Sequence, residues 1–192
     1  PEEEYPINQI AALQSILAQL ANQQNAYDQL ISQANAEFDK KQWRSALGFY
    51  KESLTIKANE TYPKTRITEI EGIIQEIAEQ NAAYNKAIDD ADAFYKTKNW
   101  ESSLTNYELA TQIKPEESYP QEKIAELKAI LGDLASANAQ YNAFIADADL
   151  LFTQVDYENA KLKYQSALEI KPEEAYPQER ILAIDDILAK LA

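Results

Sequence analysis

Cysteine, histidine and methionine are absent from the 192 residues. Without cysteine there is no disulfide, no thiolate nucleophile and no zinc-finger-like site. Without histidine the commonest general base and metal ligand is missing as well. Glycine occurs only at positions 48, 72 and 132, so long stretches have no flexible point. No run approaches the roughly 18 apolar residues that a membrane span needs. No secretory signal precedes Pro1, and a chain that opens on proline is expected to be a processed or excised piece. Basic residues are scarce too: the net charge is −14, with the acidic excess in residues 62–175 and balance in 5–61. Such a surface disfavours nucleic acid and anionic lipid, which need a basic footprint, and favours cationic partners.

What is present is a period. Tyr5-Pro6, Tyr62-Pro63, Tyr119-Pro120 and Tyr176-Pro177 stand 57 positions apart without insertion or deletion. A fixed period of this length is the signature of a stacked repeat. The reading is one continuous repeat domain: residues 1–4 as junction or linker, 5–61, 62–118 and 119–175 as three repeats, and 176–192 as a partial fourth that caps the end. Pro1-Glu2-Glu3-Glu4 resembles the junctions Pro115-Glu116-Glu117 and Pro172-Glu173-Glu174, as if cut from a longer array.

Each Tyr-Pro opens a long helical pattern. In the third repeat Ile124, Leu127, Leu131, Leu134, Asn138, Tyr141, Ile145, Ala148 and Phe152 alternate in steps of three and four. The first and second repeats have the same stripe, from Ile10 to Phe38 and from Ile67 to Tyr95. This spacing keeps one face along a helix and predicts a single helix from about Pro120 to Thr153, with proline at its first position. A break near 136–138, giving three helices per repeat, is the alternative. The polar residue midway along the stripe (Gln24, Asn81, Asn138) either fixes the register of a buried face or faces solvent.

A short helix follows, with Trp43, Ala46, Leu47, Tyr50 and Leu54 at one-face spacing, and their counterparts from Trp100 and Tyr157. It ends at Ile56-Lys57, Ile113-Lys114 and Ile170-Lys171, where a lysine in the last turn suits the negative end of the helix dipole. Trp43, Trp100 and Tyr157 read as core. Tyr5, Tyr62, Tyr119 and Tyr176 read as anchors, the ring packed on the preceding short helix, with a row of stacking tyrosines for sugar or peptide as the alternative.

The short-helix residues resemble the second half of a tetratricopeptide repeat. Trp43, Ala46, Tyr50, Ser53 and Ala58 have that half's spacing; so do Trp100, Ser103, Tyr107, Ala110 and Pro115, and Tyr157, Ala160, Tyr164, Ala167 and Pro172. Ala34, Ala91 and Ala148 match the family's helix-crossing position, and the usual tryptophan and glycine of its first half are missing. The family's unit has about 34 residues, leaving roughly 23 per unit outside the motif. Units ending in "IKPEE-YP" also resemble repeats of large bacterial envelope proteins.

The resemblance implies an all-α α-solenoid, a superhelix of helix pairs. Each pair has a long helix of about 35 residues and a short one of about 14, with about seven helices in total. It implies a concave groove for peptides. Its groove positions fall on Asp28, Asn35, Phe38 and Asp39, on Asn85, Asp92, Tyr95 and Lys96, and on Asn142, Asp149, Phe152 and Thr153. Asn35, Asn85, Asp92, Lys96, Asn142, Asp149 and Thr153 are the candidate partner-binding set. Tyr62, Trp43, Trp100, Tyr107, Tyr119, Tyr157, Tyr164 and Tyr176 are structural. Only Lys96 among the groove set is basic, so the family's carboxylate clamp is not complete. Ile31, Ile88 and Ile145 are apolar groove positions, which implies that the extra helical segment covers part of the groove.

Asp89, Asp90 and Asp92, and likewise Asp147 and Asp149, lie within a helical pattern without the irregular backbone that calcium loops require, so a solvated helix face is expected there. No phosphate loop, dinucleotide fingerprint or nucleophile elbow occurs. The functional expectation is a non-catalytic interaction scaffold without cofactor. It would bind protein or peptide partners of cationic character, with neither nucleic acid nor membrane insertion, and would self-associate through repeat ends. The alternative is a structural spacer or stalk. A cell-envelope or extracellular location fits the missing cysteine and the envelope-type units.

Overall fold

The computed structural model describes residues 4–191, and side chains from residue 6. Of the junction expected at residues 1–4, only Glu4 is described, and it opens the first helix. The fold is all-α, a helical repeat of long and short helices. The described residues form α1 (Glu4–Asp39), α2 (Trp43–Ile56), α3 (Thr61–Lys96), α4 (Trp100–Ile113), α5 (Ser118–Thr153), α6 (Tyr157–Ile170) and α7 (Ala175–Leu191). The three long helices have 36 residues each and the three short ones 14. Each long helix runs unbroken through its polar midpoint, because the step of three and four never loses phase there.

The prolines sit two residues later than the expected first position. Pro63, Pro120 and Pro177 are third in α3, α5 and α7, and all are fully buried. The first four N–H groups of a helix have no intrahelical acceptor, so proline at the third position still sacrifices no bond.

The long helices end in an overlapping pair of bonds. Lys41 N–H donates to Phe38 C=O and Gln42 N–H to Glu37 C=O, both at 2.9 Å. This is the Schellman arrangement, with a left-handed residue after the helix. Lys41, Lys98 and Val155 occupy that position with φ of 58°, 58° and 65°. Asn99 and Asp156 then cap α4 and α6 by accepting from Ser102 N–H and Asn159 N–H, whereas Gln42 makes no such bond to α2. Lys57, Lys114 and Lys171 lie just past the short helices rather than in their last turns. They stack on Tyr27, Tyr84 and Tyr141 at 5.0, 4.8 and 4.7 Å from the ring centres.

The chain divides into two compact units, Pro1–Ala83 and Tyr84–Ala192, with the boundary inside α3. In the first, Ala34 of α1, Ala46 and Tyr50 of α2 and Ile70 of α3 form the core. The second has two such cores: Ala91, Tyr107 and Leu127, then Ala148, Ala160, Tyr164 and Ile184. The rule is the same in all three. A short helix lies between the second half of its own long helix and the first half of the next. The small residue at the crossing admits the tyrosine, and burial of these apolar surfaces is the main stabilising term.

Several expected core positions differ. Trp43, Trp100 and Tyr157 are half-buried, set edge-on to Phe38, Tyr95 and Phe152 at 5.2, 5.3 and 5.3 Å. Ile77 and Leu134 are exposed, because the short helix facing each stripe is too brief to reach them. Leu20 is exposed like its counterparts Ile77 and Leu134, and Ile10, Leu13 and Leu17 are exposed because no described short helix faces the first half of α1. At the polar midpoint, Gln24 and Asn138 face solvent and Asn81 is half-buried.

Candidate functional site

The chemistry of each repeat converges on one acidic or amide side chain. Asn35 Oδ1 accepts the Tyr50 hydroxyl at 2.5 Å and the Tyr62 hydroxyl at 2.7 Å. Asp92 Oδ1 accepts the Tyr107 hydroxyl and, at 2.9 Å, that of Tyr119. Asp149 Oδ1 accepts the Tyr164 hydroxyl and, at 2.7 Å, that of Tyr176. One tyrosine of each pair comes from the short helix and the other from the start of the next long helix. Their rings meet edge to face, with centres 6.1, 5.9 and 6.1 Å apart. The backbone cause is the tight junction after the short helix, which turns the following Tyr-Pro back onto it. In the second and third junctions Gln121 and Gln178 Nε2 brace that turn by donating to Pro115 and Pro172 C=O at 2.6 and 2.7 Å.

A cation lies beside each cluster. Arg66 covers Phe38 at 4.3 Å, Lys123 covers Tyr95 at 4.5 Å, and Arg180 covers Phe152 at 4.0 Å. Arg180 Nε also donates to the Tyr164 hydroxyl at 3.2 Å. The electrostatics follow from what the acceptor is. Burial pushes the Tyr50, Tyr107 and Tyr164 hydroxyls well above the usual tyrosine range; hydrogen bonding adds to this at Tyr50 and Tyr107, whereas at Tyr164 the bond from Arg180 opposes it. The Asp149 carboxylate raises Tyr176. Tyr62 is lowered instead, chiefly by the Arg66 guanidinium, because its acceptor Asn35 has no charge to oppose that cation.

The candidate partner-binding residues therefore separate into two groups. Asn35, Asp92 and Asp149 are half-buried and engaged by tyrosine pairs. Asn85, Lys96, Asn142 and Thr153 are exposed on the long helices. The apolar groove positions Ile31, Ile88 and Ile145 pack at the edges of the three cores. Of the aspartates weighed as a cation site, Asp90 pairs with Lys86 at 2.6 Å and Asp92 belongs to its tyrosines. No group of metal-ligating residues stands together among the described residues. No described helix is long and apolar enough to cross a membrane. An open cleft of about 300 Å³ lies between the start of α2 and the middle of α3, lined by Trp43, Arg44, Ile74, Ile77 and Asn81 among others.

The clustered cations were not singled out by the sequence reading. Their signal was there: Arg66, Lys123 and Arg180 share the 57-residue period. Reading the stripes for apolar residues alone passed over them.

No family model matches the chain. No curated protein matches it either. Among solved structures it is similar to the Arabidopsis OM64 TPR domain, at 14% identity over 84% of this chain and 96% of that chain, with a TM-score of 0.23. At that score the likeness carries no argument.

Proposed function

We propose that the chain is a non-catalytic protein-interaction module of tetratricopeptide-like repeats. It holds an extended cationic partner through equivalent positions on successive long helices. The observation that carries this reading is the division of labour within each repeat. Asn35, Asp92 and Asp149 serve the fold by binding two tyrosines each, while Asn85 and Asn142, 57 positions apart, remain exposed with Lys96 and Thr153. Repeated equivalent contacts let weak individual interactions add through effective concentration. The acidic excess of residues 62–175 supplies the attraction for a cationic chain.

The test is titration of the chain with a panel of extended Lys/Arg-rich peptides, read by calorimetry. Saturable binding is expected, weakening as salt is raised and weakened again by the Asn85→Ala/Asn142→Ala double variant. Absence of saturable binding at millimolar peptide would overturn the proposal and leave the structural-spacer reading in its place.

A further inference from the structure

The open cleft between the start of α2 and the middle of α3 lies wholly within the first compact unit. Its volume of about 300 Å³ stands at the lower end of the roughly 300–1,000 Å³ typical of small-molecule sites. Its apolar lining is the half-buried ring of Trp43 with Ile74 and Ile77, the last 41% exposed. Arg44 and Ser45 from the first turn of α2 and Asn81 from α3 supply polar groups. The opening does not depend on where the chain begins. Leu134, at the place of Ile77 in the middle of α5, is 46% exposed although α4 precedes it and α6 follows.

Arg44 is the odd charge of this site. The chain has 32 acidic and 18 basic side chains, so carboxylates are plentiful. Lys40 and Lys51, before and after it, are held by Glu37 and Glu71 at 2.9 and 2.8 Å. Arg44 forms no ion pair with any described carboxylate. At the same repeat position α4 and α6 carry Glu101 and Glu158. Charge is thus reversed at one of three equivalent positions, and that position borders the cleft. A guanidinium presents paired N–H donors that match the two oxygens of a carboxylate.

We propose that this cleft binds a small aromatic carboxylate, with its ring against Trp43, Ile74 and Ile77 and its carboxylate on Arg44. The apolar lining is of ring size, and a ring set against an indole gains more than its buried area alone. One unpaired guanidinium matches one negative charge. The net charge of −14 repels a polyanion such as an acidic protein segment, whereas a small monoanion meets the least repulsion. Glu101 and Glu158 deny the same ligand to the second and third repeats. The site is independent of the cationic partner proposed above, which is held through Asn85 and Asn142 on the long helices. A ligand of about ten heavy atoms in an open cleft is expected to bind with a Kd of roughly 1–10 mM.

The experiment titrates the full chain with phenylacetate and follows the tryptophan side chains by nitrogen–proton correlation NMR. The chain has two tryptophans, so two indole N–H signals appear, and the Trp100→Phe variant identifies that of Trp43. The Trp43 signal should move saturably while that of Trp100 stays in place. Arg44→Glu, which installs the charge of the other two repeats, should weaken binding at least tenfold with the far-ultraviolet dichroism unaltered. Phenylacetamide, which lacks the charge, and acetate, which lacks the ring, should each bind at least tenfold more weakly than phenylacetate. Absence of a saturable shift would overturn the proposal, as would equal binding by Arg44→Glu, or of phenylacetamide or acetate. A capped peptide with phenylalanine beside glutamate that bound tenfold tighter than phenylacetate would overturn it too, by assigning the cleft to a protein segment.

Discussion

Asp149 holds the hydroxyl of Tyr176 at 2.7 Å across 27 residues of chain, and it holds Tyr164 with the same oxygen. One side chain thus joins three helices. Removing it leaves two tyrosine hydroxyls without an acceptor, one of them on a fully buried ring. Asp149→Ala should lower stability by about 2–3 kcal/mol. Asp149→Asn should lose about 1 kcal/mol or less, because Asn35 does the same work in the first repeat with an amide oxygen. Urea denaturation midpoints of the two variants check the contrast.

Alkaline pH should loosen the same clusters. Tyr50, Tyr107 and Tyr164 have raised values in the folded chain, so folding favours their neutral forms. Their contribution is complete below the unfolded tyrosine value of about 10 and is lost as pH rises from there through the folded values. Tyr62, which is lowered, works in the opposite sense but alone. Denaturation midpoints should fall steeply above about pH 10. The Tyr107→Phe/Tyr164→Phe variant should be less stable at neutral pH yet lose less on that climb.

Val155 is a β-branched residue in the left-handed region with φ of 65°, and its side chain is exposed. That conformation costs a non-glycine residue roughly 1–2 kcal/mol. Val155→Gly should therefore raise stability by about 1 kcal/mol despite the added freedom of the unfolded chain. A higher melting temperature by differential scanning calorimetry is the expected result, and a lower one would show that the turn is not strained.

The start of α2 is the uncapped member of its set. Gln42 makes no side-chain bond to the first turn where Asn99 and Asp156 do. Gln42→Asp should supply the missing acceptor and add about 1 kcal/mol, while Asp156→Ala should remove a similar amount. Thermal melts of both variants, moving in opposite directions, check this.

Leu13 and Leu127 occupy one repeat position in two environments. Leu127 is fully buried beneath Tyr107, so Leu127→Ala should cost about 2–5 kcal/mol. Leu13→Ala should change stability by no more than about 0.5 kcal/mol, as expected of an exposed site. Equal losses at the two positions in chemical denaturation would mean that the α1 face is covered.

The helices were legible because the pattern that specifies them is local. The step of three and four from Ile124 to Phe152, and its copies, carried the helix through Asn138 without a break. The burial of a given stripe was less legible, since it depends on what faces it. Ile10, Leu13 and Leu17 read like Ile67, Ile70 and Ile74, yet only the latter meet a described short helix. The role of Asn35, Asp92 and Asp149 was hidden for a related reason. Their partners Tyr62, Tyr119 and Tyr176 lie 27 positions away, beyond the reach of any helical periodicity. The turn geometry that swings each Tyr-Pro back is set by Lys57, Lys114 and Lys171 with their neighbours. It recurs with the 57-residue period but leaves no mark on the helical stripes.

The Tyr–Asx–Tyr clusters also bear on how such a chain can change length. Among the described residues, no side-chain hydrogen bond reaches farther than the 33 positions between Lys57 and Gln24. Every such bond is therefore shorter in sequence than one 57-residue period. Unequal recombination that inserts or deletes one whole unit leaves each donor with an acceptor and each short helix with both its walls. A frame-preserving change of another size between Asn35 and Tyr62, or within the matching stretches 92–119 and 149–176, separates a tyrosine from its acceptor. Length is thereby quantised, and a gene of this design can grow or shrink by whole units while each product still folds.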